Sequence, residues 1–117
     1  MHIQTEKIGN VQVGRITVEK VTGHEAPDLK TALLELLSTE GEQFLLNLGK
    51  IRTIDSTGLG ALIFGVRQAD QHEKDLRFCE PGEKVKFLIR IAHLKDAIDV
   101  YETEQEGLDD FRADYDA

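Results

Sequence analysis

Asp55, Ser56, Thr57, Gly58 and Gly60 crowd together in IDSTGLGALIFG, residues 54–65. A carboxylate, two hydroxyls and two glycines stand where an apolar run gives way to helical spacing, and three chemistries are compatible with them. In the first, Ser56 or Thr57 caps the helix, its hydroxyl accepting from an unpaired first-turn N–H for about 1 kcal/mol. Both glycines then lack a reason, since each costs up to ~1 kcal/mol against alanine inside a helix. In the second, Ser56 is a nucleophile. The strand-turn-helix elbow of serine hydrolases needs glycine where Ile54 stands, no segment offers a matching histidine and acid, and a phosphate loop would end in Gly-Lys-Ser/Thr. The third is modification. Free N–H donors and the positive end of the helix dipole accommodate a phosphate on Ser56 without unfolding the chain. The surface then gains about 1.5 to 2 negative charges beside Asp55. Gly58 and Gly60 would leave backbone open to a close partner. One added charge about 6 Å from a partner's carboxylate costs roughly 2–3 kcal/mol at an effective dielectric near 20, close to a hundredfold in affinity.

The flanking segments must hold this stretch in place. A short strand around Ile3, a turn at Gly9-Asn10 and a second strand in VQVGRITV open the chain, with a change of phase at Gly14-Arg15 that reads as a bulge. APDLKTALLELLS carries Ala26, Leu29, Leu33, Leu36 and Leu37 at helical spacing, with Pro27 near the start and Gly41 as the stop. QFLLNLGKI is nearly all apolar without helical period, the pattern of a strand covered on both faces. Leu59, Leu62, Ile63 and Val66 then give one helical face. DLRFCE reads as a half-buried strand. A helix on Val85, Leu88, Ile89 and Ala92 follows Pro81-Gly82, then a strand around Ala97, Ile98 and Val100. Thr103 and Glu106 have the spacing of a capping box ahead of a last helix on Leu108, Phe111 and Tyr115. Two strands followed by alternating helices and strands predict a single α/β domain over residues 1–117.

The chain has 117 residues, 22 acidic against 14 basic side chains, and a net charge of −8. Such a balance disfavours direct binding to nucleic acid or to an anionic membrane, and favours a protein partner with basic character. The opening MHIQTEKIGN has neither the basic end nor the apolar run of a secretory signal, and no membrane-spanning stretch is present. With one cysteine, Cys79, the chain is expected to be cytoplasmic. His2, His24, His72 and His93 are scattered without ligand spacing, so no metal site is expected. Glu35, Lys74 and Glu83 read as solvated helix faces.

IDSTGLGALI resembles the phosphorylation motif of bacterial anti-sigma-factor antagonists, small single-domain members of the STAS family. EAPDLKTALLELL is similar to that family's first helix, FLLNLGKIRTID to its central strand and turn, and LRFCEPGEKVKFLIRIAHLKDAIDVYETEQEGL to its closing elements. The resemblance implies a mixed sheet of about four to five strands with helices packed on it. It implies a regulatory protein without catalytic residues or cofactor of its own. Ser56 would be phosphorylated by a dedicated ATP-binding serine kinase, itself the anti-sigma factor, with Thr57 as the second candidate acceptor. The unphosphorylated form would bind that kinase and free a sigma factor. Phosphorylation would block binding, and a metal-dependent serine phosphatase would reset the switch. Asp55 would flank the acceptor, and Gly58 and Leu59 would lie at the contact.

The family's Gly-Glu-(Leu/Ile)-Asp element before the first helix is absent, since Glu19, Lys20, Val21 and Thr22 stand there. Thr22, Gly23 and His24 are therefore expected to offer the partner a different shape or charge. The family's Thr-Gly-Leu turn reads Ala92-His93-Leu94. The other role compatible with this fold is a non-switching adaptor, a scaffold or transport-associated subunit in which Ser56 is only a cap.

Overall fold

Apolar side chains on both faces of the central strand require a cover on each side, and the helices divide accordingly. The computed structural model describes residues 2–116; Met1 and Ala117, the ends of the expected domain, lie outside the described residues. The chain runs β1 (Ile3–Ile8), β2 (Val11–Ile16), β3 (Lys20–Val21), α1 (Ala26–Leu37), β4 (Gln43–Asn47), β5 (Thr53–Ile54), α2 (Ser56–Gln71), β6 (Asp75–Cys79), α3 (Glu83–Ile91), β7 (Val100–Tyr101) and α4 (Glu104–Tyr115). Five strands form one sheet in the order β1-β2-β4-β6-β7, with β1 antiparallel to β2 and the other pairs parallel. β3 and β5 form a separate parallel pair. This is the mixed α/β sheet expected from the order of elements.

Alternation along the strands sorts the core into two layers. Phe44, Leu46, Leu76 and Phe78 belong with α1, α2 and α3 in the larger cluster. Val11, Val13, Leu45 and Cys79 pack with Phe111 of α4 in the smaller one. Two strand expectations change for this reason. No bulge interrupts β2, whose pairing with β1 runs without a break from Ile3↔Ile16 to Ile8↔Val11. The apparent phase change arises because Gly14 faces the larger cluster, where a β-carbon would stand 3.0 Å from Ile3 Cγ2 and 3.2 Å from Leu36 Cδ2. β6 is also not half-buried. Arg77 is only 6% exposed. It pairs with Asp75 and Asp114 at 2.9 Å each and lies 4.0 Å from the centre of the Phe111 ring, which locks α4 onto the sheet.

Smaller differences are local. Residues 95–98 form turns, and only Val100–Tyr101 pair as a strand. α1 ends at Leu37, ahead of Gly41 (φ +105°), and Lys74 Nζ donates to the carbonyl of Leu37 at its end and to that of Thr39 just beyond. Lys74 is thus not a solvated helix-face cation but a tether on the helix's negative end. Thr103 caps α4 as expected, its Oγ1 accepting from the Glu106 N–H at 3.1 Å.

Candidate functional site

The short β3–β5 pair builds the site. In parallel strands with Val21 opposite Ile54, the residues that follow leave the pair at the same end. The loop Thr22–Gly23–His24 therefore comes beside Asp55–Ser56–Thr57, although 32 residues separate Gly23 from Asp55. A two-residue ladder is too short to show a period, so this juxtaposition is not visible in the sequence.

Asp55 joins the two segments. Its backbone is extended (φ −121°, ψ −177°) as α2 begins. Its Oδ1 accepts from the Gly58 N–H at 2.8 Å and its Oδ2 from the Gly23 N–H at 3.2 Å. The Leu59 N–H reaches the Asp55 carbonyl at 2.9 Å. Asp55 is therefore the N-cap, and the first of the three chemistries, with Ser56 or Thr57 in that role, does not hold. Both hydroxyls lie within the first turn, and both residues are exposed. Among the described residues neither hydroxyl has a hydrogen-bond partner. With Gly58 and Leu59 satisfied by Asp55, the N–H groups of Ser56 and Thr57 are the first-turn donors that the helix itself cannot pair.

The glycines divide in role. Gly58 is buried, and a β-carbon there would stand 2.0 Å from the Val21 carbonyl oxygen and 2.9 Å from its carbon. Its lack of a side chain lets β3 lie against the start of α2, so it is not the exposed contact expected. Leu59 is 5% exposed and belongs to the larger core cluster. It too is withdrawn from the exposed surface where the contact was expected. Gly60 is different: it is exposed and a β-carbon on it would meet nothing within 4 Å. The open surface thus consists of Gly23, His24, Asp55, Ser56, Thr57 and Gly60, with Thr22 half-buried behind it.

Thr22 turns inward to start α1. Its N–H and its hydroxyl both donate to Glu25 Oε1, at 2.9 and 2.7 Å. The Thr22 hydroxyl is the main reason that the Glu25 carboxyl is held below its usual range. Gly23 then runs along Thr57, where a β-carbon would touch Thr57 Cγ2 at 3.8 Å. Chemically the site offers an unused hydroxyl at a helix N-terminus beside one carboxylate, on an exposed surface of small side chains.

The STAS domain family profile matches residues 2–107. The anti-sigma-B factor antagonist of Staphylococcus epidermidis is 30% identical over 84 residues, which span 71% of this chain and 78% of that protein. Among solved structures, an anti-sigma factor antagonist from Mycobacterium paratuberculosis superposes with a TM-score of 0.82 at 17% identity, over 94% of this chain and 92% of that one. The Bacillus cell-fate determinant SpoIIAA in its phosphorylated form superposes with a TM-score of 0.68 at 16% identity, over 94% and 99% of the two chains. The chain belongs to the STAS domain family, among its anti-sigma-factor antagonists.

Proposed function

We propose that this chain is a phosphorylation-gated binding protein that, when unphosphorylated, captures an anti-sigma factor and thereby releases a sigma factor. The observation that carries this reading is the freedom of the Ser56 hydroxyl. It is exposed, and Asp55 has taken over the capping that would otherwise occupy it. An adaptor that used Ser56 only as a cap would need that hydroxyl on the first-turn N–H groups, where Asp55 stands instead. Thr57 is the second exposed hydroxyl and the alternative acceptor.

The gate works through surface charge and bulk. Phosphate transfer from ATP breaks the bond between its β,γ-bridging oxygen and the terminal phosphorus, forms a phosphorus bond to Ser56 Oγ, and releases ADP and the hydroxyl proton. The product can accept from the N–H groups of Ser56 and Thr57 and is favoured by the helix dipole, so the fold tolerates it. Its charge and bulk then oppose a partner that docks across Asp55, Thr57, Gly60, Gly23 and His24. The ATP-binding site belongs to the kinase, which is the anti-sigma factor itself, and the metal ions belong to the phosphatase that reverses the step. The chain contributes no turnover of its own.

The test compares Ser56→Asp, Ser56→Ala and the unaltered chain for binding to the anti-sigma factors of its own genome. Ser56→Asp is expected to lose binding about a hundredfold, the worth of roughly 2–3 kcal/mol. Ser56→Ala is expected to bind constitutively in the presence of ATP. Equal binding by both variants contradicts the gate.

A further inference from the structure

We infer that α3 carries a second docking surface, adjoining the switch, for a segment of the same partner that presents an apolar side chain flanked by carboxylates. This rests on the gated-binding reading and specifies the chemistry of the partner. Phe87 and Ile91 are 52% and 53% exposed, the two most exposed large apolar side chains among the described residues. They stand one helical turn apart, off the face that buries Val85 and Ile89. The core does not use them.

A groove of about 530 Å³ runs beside Phe87, lined by Ile54, Glu83, Lys84, Phe87, Leu88 and Arg90. Ile54 is two residues from Ser56, so their Cα atoms are at most ~7 Å apart. A protein seated on the switch is therefore within reach of the groove.

Charge selects the occupant. The chain carries −8 overall, yet α3 holds Lys84, Lys86 and Arg90 against Glu83. Lys86 is already paired with Glu102 at 3.0 Å. Lys84 and Arg90 remain beside Phe87, the Arg90 guanidinium 5.8 Å from its ring centre. An acidic segment is repelled by most of this surface and attracted here, and an apolar side chain within it finds the Phe87 ring. A second copy of the chain fits less well, because two bodies of charge −8 repel each other as wholes.

The experiment measures the affinity of the unphosphorylated full chain for the anti-sigma factors of its own genome, purified without ATP. Phe87→Ser and the double variant Lys84→Glu/Arg90→Glu are compared with the unaltered chain and with Ser56→Asp, after thermal melts confirm that each is folded. Phe87→Ser is expected to raise Kd at least about tenfold, as a central apolar anchor does. The charge reversal is expected to do the same and to flatten the salt dependence. If Ser56→Asp loses binding while both α3 variants bind like the unaltered chain, the second surface is overturned and the gate stands. If no anti-sigma factor of the genome binds the unaltered chain, the gate fails and the second surface falls with it. If sedimentation shows self-association that Phe87→Ser dissolves, the face belongs to a second copy and the inference is overturned.

Discussion

Gly58 lies so close to Val21 that a β-carbon on the glycine would stand 2.0 Å from the Val21 carbonyl oxygen. The glycine in the motif is therefore a packing requirement of the β3–β5 pair. The obstructing atom is backbone, which cannot rotate away as a side chain would. Gly58→Ala is expected to destabilise the chain by about 3 kcal/mol, at the upper end for overpacking, and to push β3 away from α2. Gly60→Ala, where nothing lies within 4 Å, is expected to stabilise it by up to about 1 kcal/mol. Urea denaturation separates the two, and a Gly60→Ala variant that is more stable yet binds its partner less tightly marks Gly60 as a contact.

Asp55 supports two neighbouring elements with its two oxygens, and its removal loosens both. Asp55→Ala leaves the N–H groups of Gly58 and Gly23 without their acceptor. A loss of about 1–2 kcal/mol in urea denaturation is expected. Asp55→Asn keeps one carbonyl acceptor and is expected to recover most of it, so any remaining difference in partner affinity reports the charge beside Ser56.

Three weak acids on the α4 side of the sheet contribute to the alkaline limb of stability. Burial first, then the bond to Asp110, pushes the Tyr101 hydroxyl up to about 12 from its ordinary 10.0. Tyr115, although 41% exposed, is pushed up to about 12 by the partial burial of its hydroxyl and by its bond to Asp75 at 3.0 Å. Cys79, fully buried, rises from 9.0 to about 12 through burial. All three are favoured in their neutral forms by folding. Their contribution is complete below the unfolded values of 9.0 and 10.0 and is lost as pH climbs towards 12. The chain has two tyrosines and no tryptophan, so absorbance at 295 nm reports tyrosinate cleanly. Its midpoint is expected near 12 in the native chain, against about 10 in urea. A native midpoint near 10 contradicts the bonds of Tyr101 to Asp110 and of Tyr115 to Asp75.

Much of the architecture was legible in the residues because both periods are clear: α1 and α2 show helical spacing and β4 is apolar on both faces. What was hidden depends on partners distant in sequence. Arg77 looks like the polar face of a strand until Asp75, Asp114 and the Phe111 ring are brought around it. Gly14 mimics a bulge because only the fold shows that Ile3 and Leu36 leave no room for a side chain. At the site, the sequence located the motif and its exposed serine but not the division of labour. Asp55, Ser56 and Thr57 are all competent caps, and only the position of Gly23 shows why Asp55 takes the role. The resemblance placed Gly58 and Leu59 at the contact, whereas Leu59 follows the helical apolar spacing into the core and nothing in the sequence announces β3 behind Gly58.

The central claim is that Ser56 Oγ can carry a phosphate without disturbing the interior while closing the docking face. Calorimetric titration of stoichiometrically Ser56-phosphorylated chain into its anti-sigma factor, against the unphosphorylated chain, tests it most directly. The account predicts a loss of affinity of about a hundredfold. It also predicts that the melting temperature of the free chain stays within about 4 °C, the shift expected for no more than 1 kcal/mol. Equal affinity of the two forms, or a phosphorylated chain that has lost its fold, would contradict it.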